Sequence, residues 1–229
     1  MKNIFVRTKN VKNFITLAEK LSGKEKNIPK MGLIYGEPGL GKTHTAVWWA
    51  TKNEAIYIRA SNNMTSRWLL QEIVEEIGEN PYYLTSDLMK QCIHKLKLFP
   101  KIIVVDEIDY LISQYKAIET LRDLHDKTGV PILLIGMGMA NKKLTRYKHL
   151  YDRISEKVLF EPFSSEDMKL IINELAEVKI DDGAINFIQT KINRFRQLVK
   201  LIATMEEIAE ANNLDCIDEK TVRSIVIDG

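Results

Sequence analysis

Over roughly the first 160 residues, short unbroken apolar runs take turns with longer stretches in which apolar side chains recur every three or four positions. The first pattern is that of strands buried in a sheet, the second that of helices with one apolar face. Strands are predicted over residues 31–35, 55–60, 102–105, 131–135 and 157–160, and helices over 42–52, 66–77, 85–98 and 116–128. Gly78-Glu79-Asn80-Pro81 stops the second of these helices and Pro100 the third. Residues 102–105 are β-branched and carry no polar interruption, as a strand covered on both faces requires. Regular alternation of strand and helix predicts an α/β fold, a parallel sheet flanked by helices.

Past residue 160 the strand pattern is lost. Helices are predicted near 164–178, 182–191, 194–212 and 218–227, the first capped by Ser164 or Ser165. The expected organisation is an α/β domain over residues 1–161 followed by a small helical lid domain over 162–229.

Composition adds little to this picture but excludes a good deal. With 45% hydrophobic and 28% charged residues, the 229-residue chain is an ordinary globular protein. Its 33 Lys and Arg balance 31 Asp and Glu, so it is no general coat for nucleic acid, and any basic surface is local. Residues 1–30 are basic (Lys2, Arg7, Lys9, Lys12, Lys20, Lys24, Lys26 and Lys30 against Glu19 and Glu25), whereas 161–190 are acidic. The basic stretch reads first as a solvated face, with phosphate contact as the alternative. Cys92 and Cys216 stand far apart, and His44, His94, His125 and His149 show no ligand spacing, so neither a disulfide framework nor a Cys/His metal site is expected. No apolar run approaches the ~18 residues that span a bilayer, and a cytoplasmic protein without membrane partners is expected.

The chemistry is concentrated at two strand ends. Gly36-Glu37-Pro38-Gly39-Leu40-Gly41-Lys42-Thr43 follows the first strand and opens a helix, matching G-x-x-x-x-G-K-[ST]. Glycines let backbone N–H groups turn inward round a phosphate, and the helix aims its positive end at the anion. Lys42 is placed to bridge the β- and γ-phosphates and the Thr43 hydroxyl to hold Mg²⁺. ATP and Mg²⁺ are the expected ligands, with Gly36 to His44 as the binding segment. The third strand delivers Asp106 and Glu107 at its carboxyl end, Asp106 to hold the metal and Glu107 to polarise the attacking water. Asp109 reads as a capping or turn carboxylate. Trp48 and Trp49 read as core rather than as a stacking platform for bases.

These features resemble the AAA+ ATPases. The helical stretch over 61–98 is similar to the initiator-like branch of that class. The closest resemblance is to the transposition ATPases, the group of the phage Mu B protein and the TniB and TnsC regulators. Its carriers are Ser61-Asn62-Asn63-Met64-Thr65-Ser66, the phrase Thr128-Gly129-Val130-Pro131-Ile132-Leu133-Leu134-Ile135-Gly136, and Arg194-Phe195-Arg196-Gln197-Leu198. The resemblance implies that Arg196 senses the γ-phosphate from the lid. It also implies that Arg153, or failing it Arg146, is an arginine finger offered to a neighbouring subunit. Self-association into a ring or filament on duplex DNA follows, with sequence-independent contacts from Asn63, Thr65 and Arg67 and from Lys116. A transposase or other recombination protein is the implied partner, with a replication initiator or helicase loader, or a nucleotide-gated switch that never meets DNA, as alternatives. Where the family carries a polar residue to orient water, this chain has Gly136-Met137-Gly138-Met139, which implies slow or assembly-dependent hydrolysis. The Mu protein's additional N-terminal DNA-binding module has no room in 229 residues, so DNA contact is expected from the ATPase domain itself.

Overall fold

The computed structural model describes residues 1, 2, 4–23, 25 and 28–228, the last three by backbone alone. Lys24 and Lys26 of the basic stretch lie outside the described residues. The chain divides into two units, one of Asn13–Glu37 with Lys42–Phe160, the other of Met1–Lys12, Pro38–Gly41 and Glu161–Gly229. The division near residue 161 lies where the strand pattern fades. The helical unit also takes the first twelve residues and four residues of the glycine loop, which the sequence pattern had left with the α/β part.

The larger unit is built on five parallel strands: β1 (Met31–Gly36), β2 (Ile56–Arg59), β3 (Ile103–Asp106), β4 (Ile132–Met137) and β5 (Ile154–Phe160), in the order β2-β3-β4-β1-β5. Helices α1 (Lys9–Gly23), α2 (Lys42–Lys52), α3 (Ser66–Glu76), α4 (Thr85–Leu98), α5 (Tyr115–Thr128), α6 (Ala140–Leu144) and α7 (Lys148–Tyr151) belong to this part of the chain, the start of α1 excepted. All four residues of β3 are buried, because β2 and β4 flank it and helices cover its faces, so its one carboxylate appears only at its end. Gly32 of β1 leaves room for α1: a Cβ there would stand 2.7 Å from Leu17 and 2.8 Å from Leu21. The sequence reading missed α1, although Phe14, Leu17, Ala18 and Leu21 carry the helical spacing. It also missed α6, α7 and the 3₁₀ turn Ile108–Ser113, all too short for a period to show.

Helices α3 and α4 lie side by side and point the same way. Leu70 meets Cys92, Glu79 pairs with Lys95, and Arg67 meets Tyr83, so the two helices advance together. Residues 79–84 therefore run back along the pair in extended form. The buried amide of Gln91 pins them, donating to the Asn80 carbonyl at 2.9 Å and accepting from the Tyr82 amide at 3.1 Å.

The smaller unit packs α8 (Ser165–Leu175), α9 (Asp182–Lys191), α10 (Phe195–Asn212) and α11 (Glu219–Asp228) around a core that includes Ile171, Ile172, Ile188, Leu198, Ile202 and Met205. Ser164 caps α8 by accepting the Asp167 amide, and Asp181 caps α9 through the Ala184 amide. The expectation of no strand past residue 160 is corrected by a two-residue parallel ladder of β6 (Lys179–Ile180) and β7 (Cys216–Ile217), too short to register as alternation. Among the described residues, no helix is long and apolar enough to cross a membrane.

Candidate functional site

The glycine loop leaves β1 at Gly36 and enters α2 at Lys42. Gly39 and Gly41 hold φ of +83° and +86°, a left-handed conformation that side chains resist, and this lets successive N–H groups turn to one side. The Lys42 ammonium donates to the carbonyls of Gly36, at 2.7 Å, and Glu37, at 2.8 Å. Burial pulls it below the usual lysine range, against the opposing charges of Asp106, Glu37 and Asp109. Thr43 and His44 are exposed in the first turn of α2.

Asp106 is only 2% exposed, and both of its oxygens are engaged. One accepts the Glu107 amide at 2.8 Å and the other the Tyr57 hydroxyl at 2.9 Å. Burial, and then the Asp106 charge, push the Tyr57 phenol well above the usual tyrosine range, so it remains a donor. Glu107 adopts a left-handed backbone, φ 55° and ψ 41°, that breaks the strand. Its carboxylate accepts from Arg59 Nε at 3.1 Å and from a terminal guanidinium nitrogen at 2.5 Å, and these bonds raise the Arg59 pKa. Sequence reasoning missed Tyr57 and Arg59. Their signal is present in Ile56-Tyr57-Ile58-Arg59, where buried isoleucines alternate with two polar-tipped residues on the opposite face.

Asp109 does not cap a helix. Its carboxylate accepts the Met137 amide at 2.6 Å and lies 3.4 Å from Lys143 Nζ, tying the turn after β3 to the end of β4. At the end of β4, Met137 is exposed, and a Cβ on Gly138 would stand 2.6 Å from a Glu37 carboxylate oxygen.

The other expected residues lie elsewhere. Arg153 precedes β5 at the amino end of the sheet, opposite the glycine loop of its own chain, and its guanidinium spans Asp126 at 3.1 and 2.9 Å. Arg146 is exposed between α6 and α7. In the smaller unit, the Phe195 amide donates to the Gly39 carbonyl at 2.7 Å, and Arg196 follows, exposed, in the first turn of α10. Asn63 is exposed with φ +69°, Thr65 caps α3 through the Trp68 amide, and Arg67 lies over the Tyr83 ring and donates to the Tyr83 carbonyl. Lys116 is exposed at the start of α5. Trp49 is buried against Phe14, and Trp48 is half-buried beneath Lys52.

The donor set fits a magnesium nucleoside triphosphate. Lys42 already binds oxygen acceptors at the mouth of a left-handed glycine turn, and Asp106 keeps lone pairs beyond the two donors that fix it. A family model described as an AAA domain matches residues 27–144. A "potential ATP-binding protein" of Staphylococcus aureus is 25% identical over 96% of this chain and 94% of its own length. An ORC1-type DNA replication protein of Archaeoglobus fulgidus is 23% identical over 73% of this chain, which spans about half of that protein, 49%. Among solved structures, the ORC1 protein of Aeropyrum pernix in complex with DNA superposes with a TM-score of 0.65 at 18% identity, covering 99% of this chain and 66% of the other. The fold is thereby shared with that protein.

Proposed function

The chain belongs to the AAA domain family, and from that premise we propose that it is an ATPase whose nucleotide state governs its assembly on duplex DNA, where it recruits a second DNA-processing enzyme. The observation that carries the nucleotide part is Lys42, Asp106 and Glu107 at the carboxyl ends of β1 and β3, where open α/β sheets hold their ligands. Residues 36–44 bind the phosphates, with Lys42 trading its carbonyl partners for phosphate oxygens. Thr43 and Asp106 hold magnesium, which when bound neutralises charge on the phosphates. Glu107, once clear of Arg59, accepts a proton from the attacking water.

Hydrolysis needs more than one copy. Arg153 sits at the far end of the sheet from its own glycine loop, so a catalytic role for it is a role in a neighbour's site, after it leaves Asp126. Arg196 reports the nucleotide from the helical unit. Contact with DNA falls to the common starts of α3 and α4, where two helix dipoles point the same way beside Arg67, exposed Asn63 and Thr65, and the tyrosines of the returning segment. Lys116 adds a second contact. Such contacts go to phosphates and ignore sequence.

A transposase is the partner that the sequence resemblance favours. The second reading, a replication initiator or helicase loader, is favoured by the similarity to the ORC1-type protein. The test is fluorescence anisotropy of a random-sequence duplex with ATP, with ADP and with a slowly hydrolysed analogue, using Lys42→Ala as control. Binding that requires the triphosphate and falls with salt is expected. No binding at low salt with any nucleotide would refute the DNA reading and leave a nucleotide-gated protein switch. Stimulation of strand transfer or of helicase loading then separates the two partners.

A further inference from the structure

The two polar residues of β2 serve two different carboxylates. Tyr57 and Arg59, two positions apart, share one face of the strand; the first meets Asp106 and the second Glu107. The Arg59 contact is exposed on its arginine side, whereas the Tyr57 hydroxyl reaches a carboxylate that solvent barely touches. A carboxylate held by one donor still turns about its broad terminal torsion. Here the Glu107 amide fixes one oxygen and Tyr57 the other, and the plane is set.

We propose that Tyr57 is a positioning residue for divalent metal: by donating to the second oxygen of Asp106 it fixes the carboxylate in the orientation that receives a hydrated magnesium ion. The proposal rests on the nucleotide reading above and deepens it, adding a residue outside both motifs that carry that reading. The carboxylate has about four lone-pair positions, and two donors leave the others for water or metal. Loss of one donor leaves the charge in place but frees the plane. Partners of this kind, one step removed from the metal, are worth roughly 10–100-fold in metal affinity. A carboxylate acting through the water shell belongs at the lower end of that range.

The test uses the full chain and a fluorescent ATP analogue, titrated with Mg²⁺ and separately in EDTA, for the wild type, Tyr57→Phe, Asp106→Asn and the double variant. Mn²⁺ binding in the presence of a non-hydrolysable ATP analogue, followed by electron paramagnetic resonance, gives a second readout. Tyr57→Phe is expected to raise half-saturating Mg²⁺ about tenfold, to weaken Mn²⁺ in parallel, and to leave nucleotide affinity in EDTA unchanged. In the Asp106→Asn background it should add nothing further. Half-saturation within twofold of the wild type would overturn the proposal. So would a matching loss of affinity in EDTA, which would make Tyr57 a general structural residue. A wild type whose nucleotide binding ignores Mg²⁺ would instead overturn the magnesium-nucleotide reading, and the role of Tyr57 with it.

Discussion

Replacing Gln91 by alanine tests whether one buried amide holds the returning segment between α3 and α4. Gln91 is 7% exposed, and its side chain closes two hydrogen bonds to the backbone of residues 80 and 82. Each is worth about 1 kcal/mol net. Asn80 and Tyr82 are themselves exposed, so water takes over part of what is lost, and the desolvation penalty stays at its low end. Removing the buried side-chain methylene costs about a further 0.8 kcal/mol. The expected loss is roughly 2–3 kcal/mol, or about 5–10 °C in Tm for a chain of this size. Gln91→Glu keeps the acceptor for the Tyr82 amide but sets a buried carboxylate oxygen against the Asn80 carbonyl, so it should destabilise at least as much as alanine. Urea unfolding gives the energy, and hydrogen exchange at the Tyr82 amide reports the segment itself. A loss below about 0.5 kcal/mol, with that amide still protected, would refute the reasoning, because the segment would then be held by something other than Gln91. Duplex binding should weaken in the same variant while nucleotide binding persists, since the segment carries Tyr83 and hence the seat of Arg67.

Three further outcomes are expected. Burial pushes the Cys92 thiol up to about 12, so a disulfide reagent at pH 8 should label exposed Cys216 promptly and Cys92 only after unfolding. The sign of the linkage follows: the folded thiol keeps its proton longer than the unfolded one, so its contribution is complete below the ordinary thiol range and is lost as pH rises beyond it. Prompt labelling of both cysteines would contradict the burial. Arg59→Met frees Glu107 from its charged donor, and steady-state ATPase assays should show a raised basal rate with less dependence on DNA; a rate as low as wild type would mean that Arg59 does not restrain the base. Arg153→Ala and Glu107→Gln should each be inactive alone yet recover partial hydrolysis when mixed, because one supplies a site and the other an arginine; no recovery would argue against action between subunits.

The parallel sheet was legible because its three inner strands, β1, β3 and β4, are buried on both faces and so carry nearly unmixed apolar runs, and the two motifs were legible because each follows such a run directly. What stayed hidden was whatever depends on partners distant in sequence. Asp109 looked like a turn residue since its acceptor role toward Met137 spans 28 positions, a relation that no local pattern encodes. Tyr57 and Arg59 lie in a predicted strand that carries no motif, and only the register that sets Arg59 opposite Asp106 makes them neighbours of the two carboxylates. Arg153, expected as an arginine finger, rests against Asp126 on α5, 27 positions away in sequence, a pairing that no local pattern encodes.

The contrast between a basic beginning and an acidic stretch over 161–190 has a physical sequel within the smaller unit. Lys9 meets Glu161 at 3.2 Å, but both side chains are more than half exposed, and such pairs contribute little once water screens them. The stronger links are to the backbone. The Lys9 amide donates to Asp167 at 2.8 Å, Asn10 exchanges hydrogen bonds with Glu161 at 2.8 and 3.2 Å, and the Lys2 amide donates to the Leu175 carbonyl at 2.9 Å. Asp167 stands third after the cap Ser164, where a carboxylate ordinarily turns back toward the cap's own amide; here it takes the first amide of α1. One buried carboxylate thus belongs to the starts of two helices. The first residues are held chiefly by directional bonds, to buried Asp167 and to the backbone of Glu161 and Leu175.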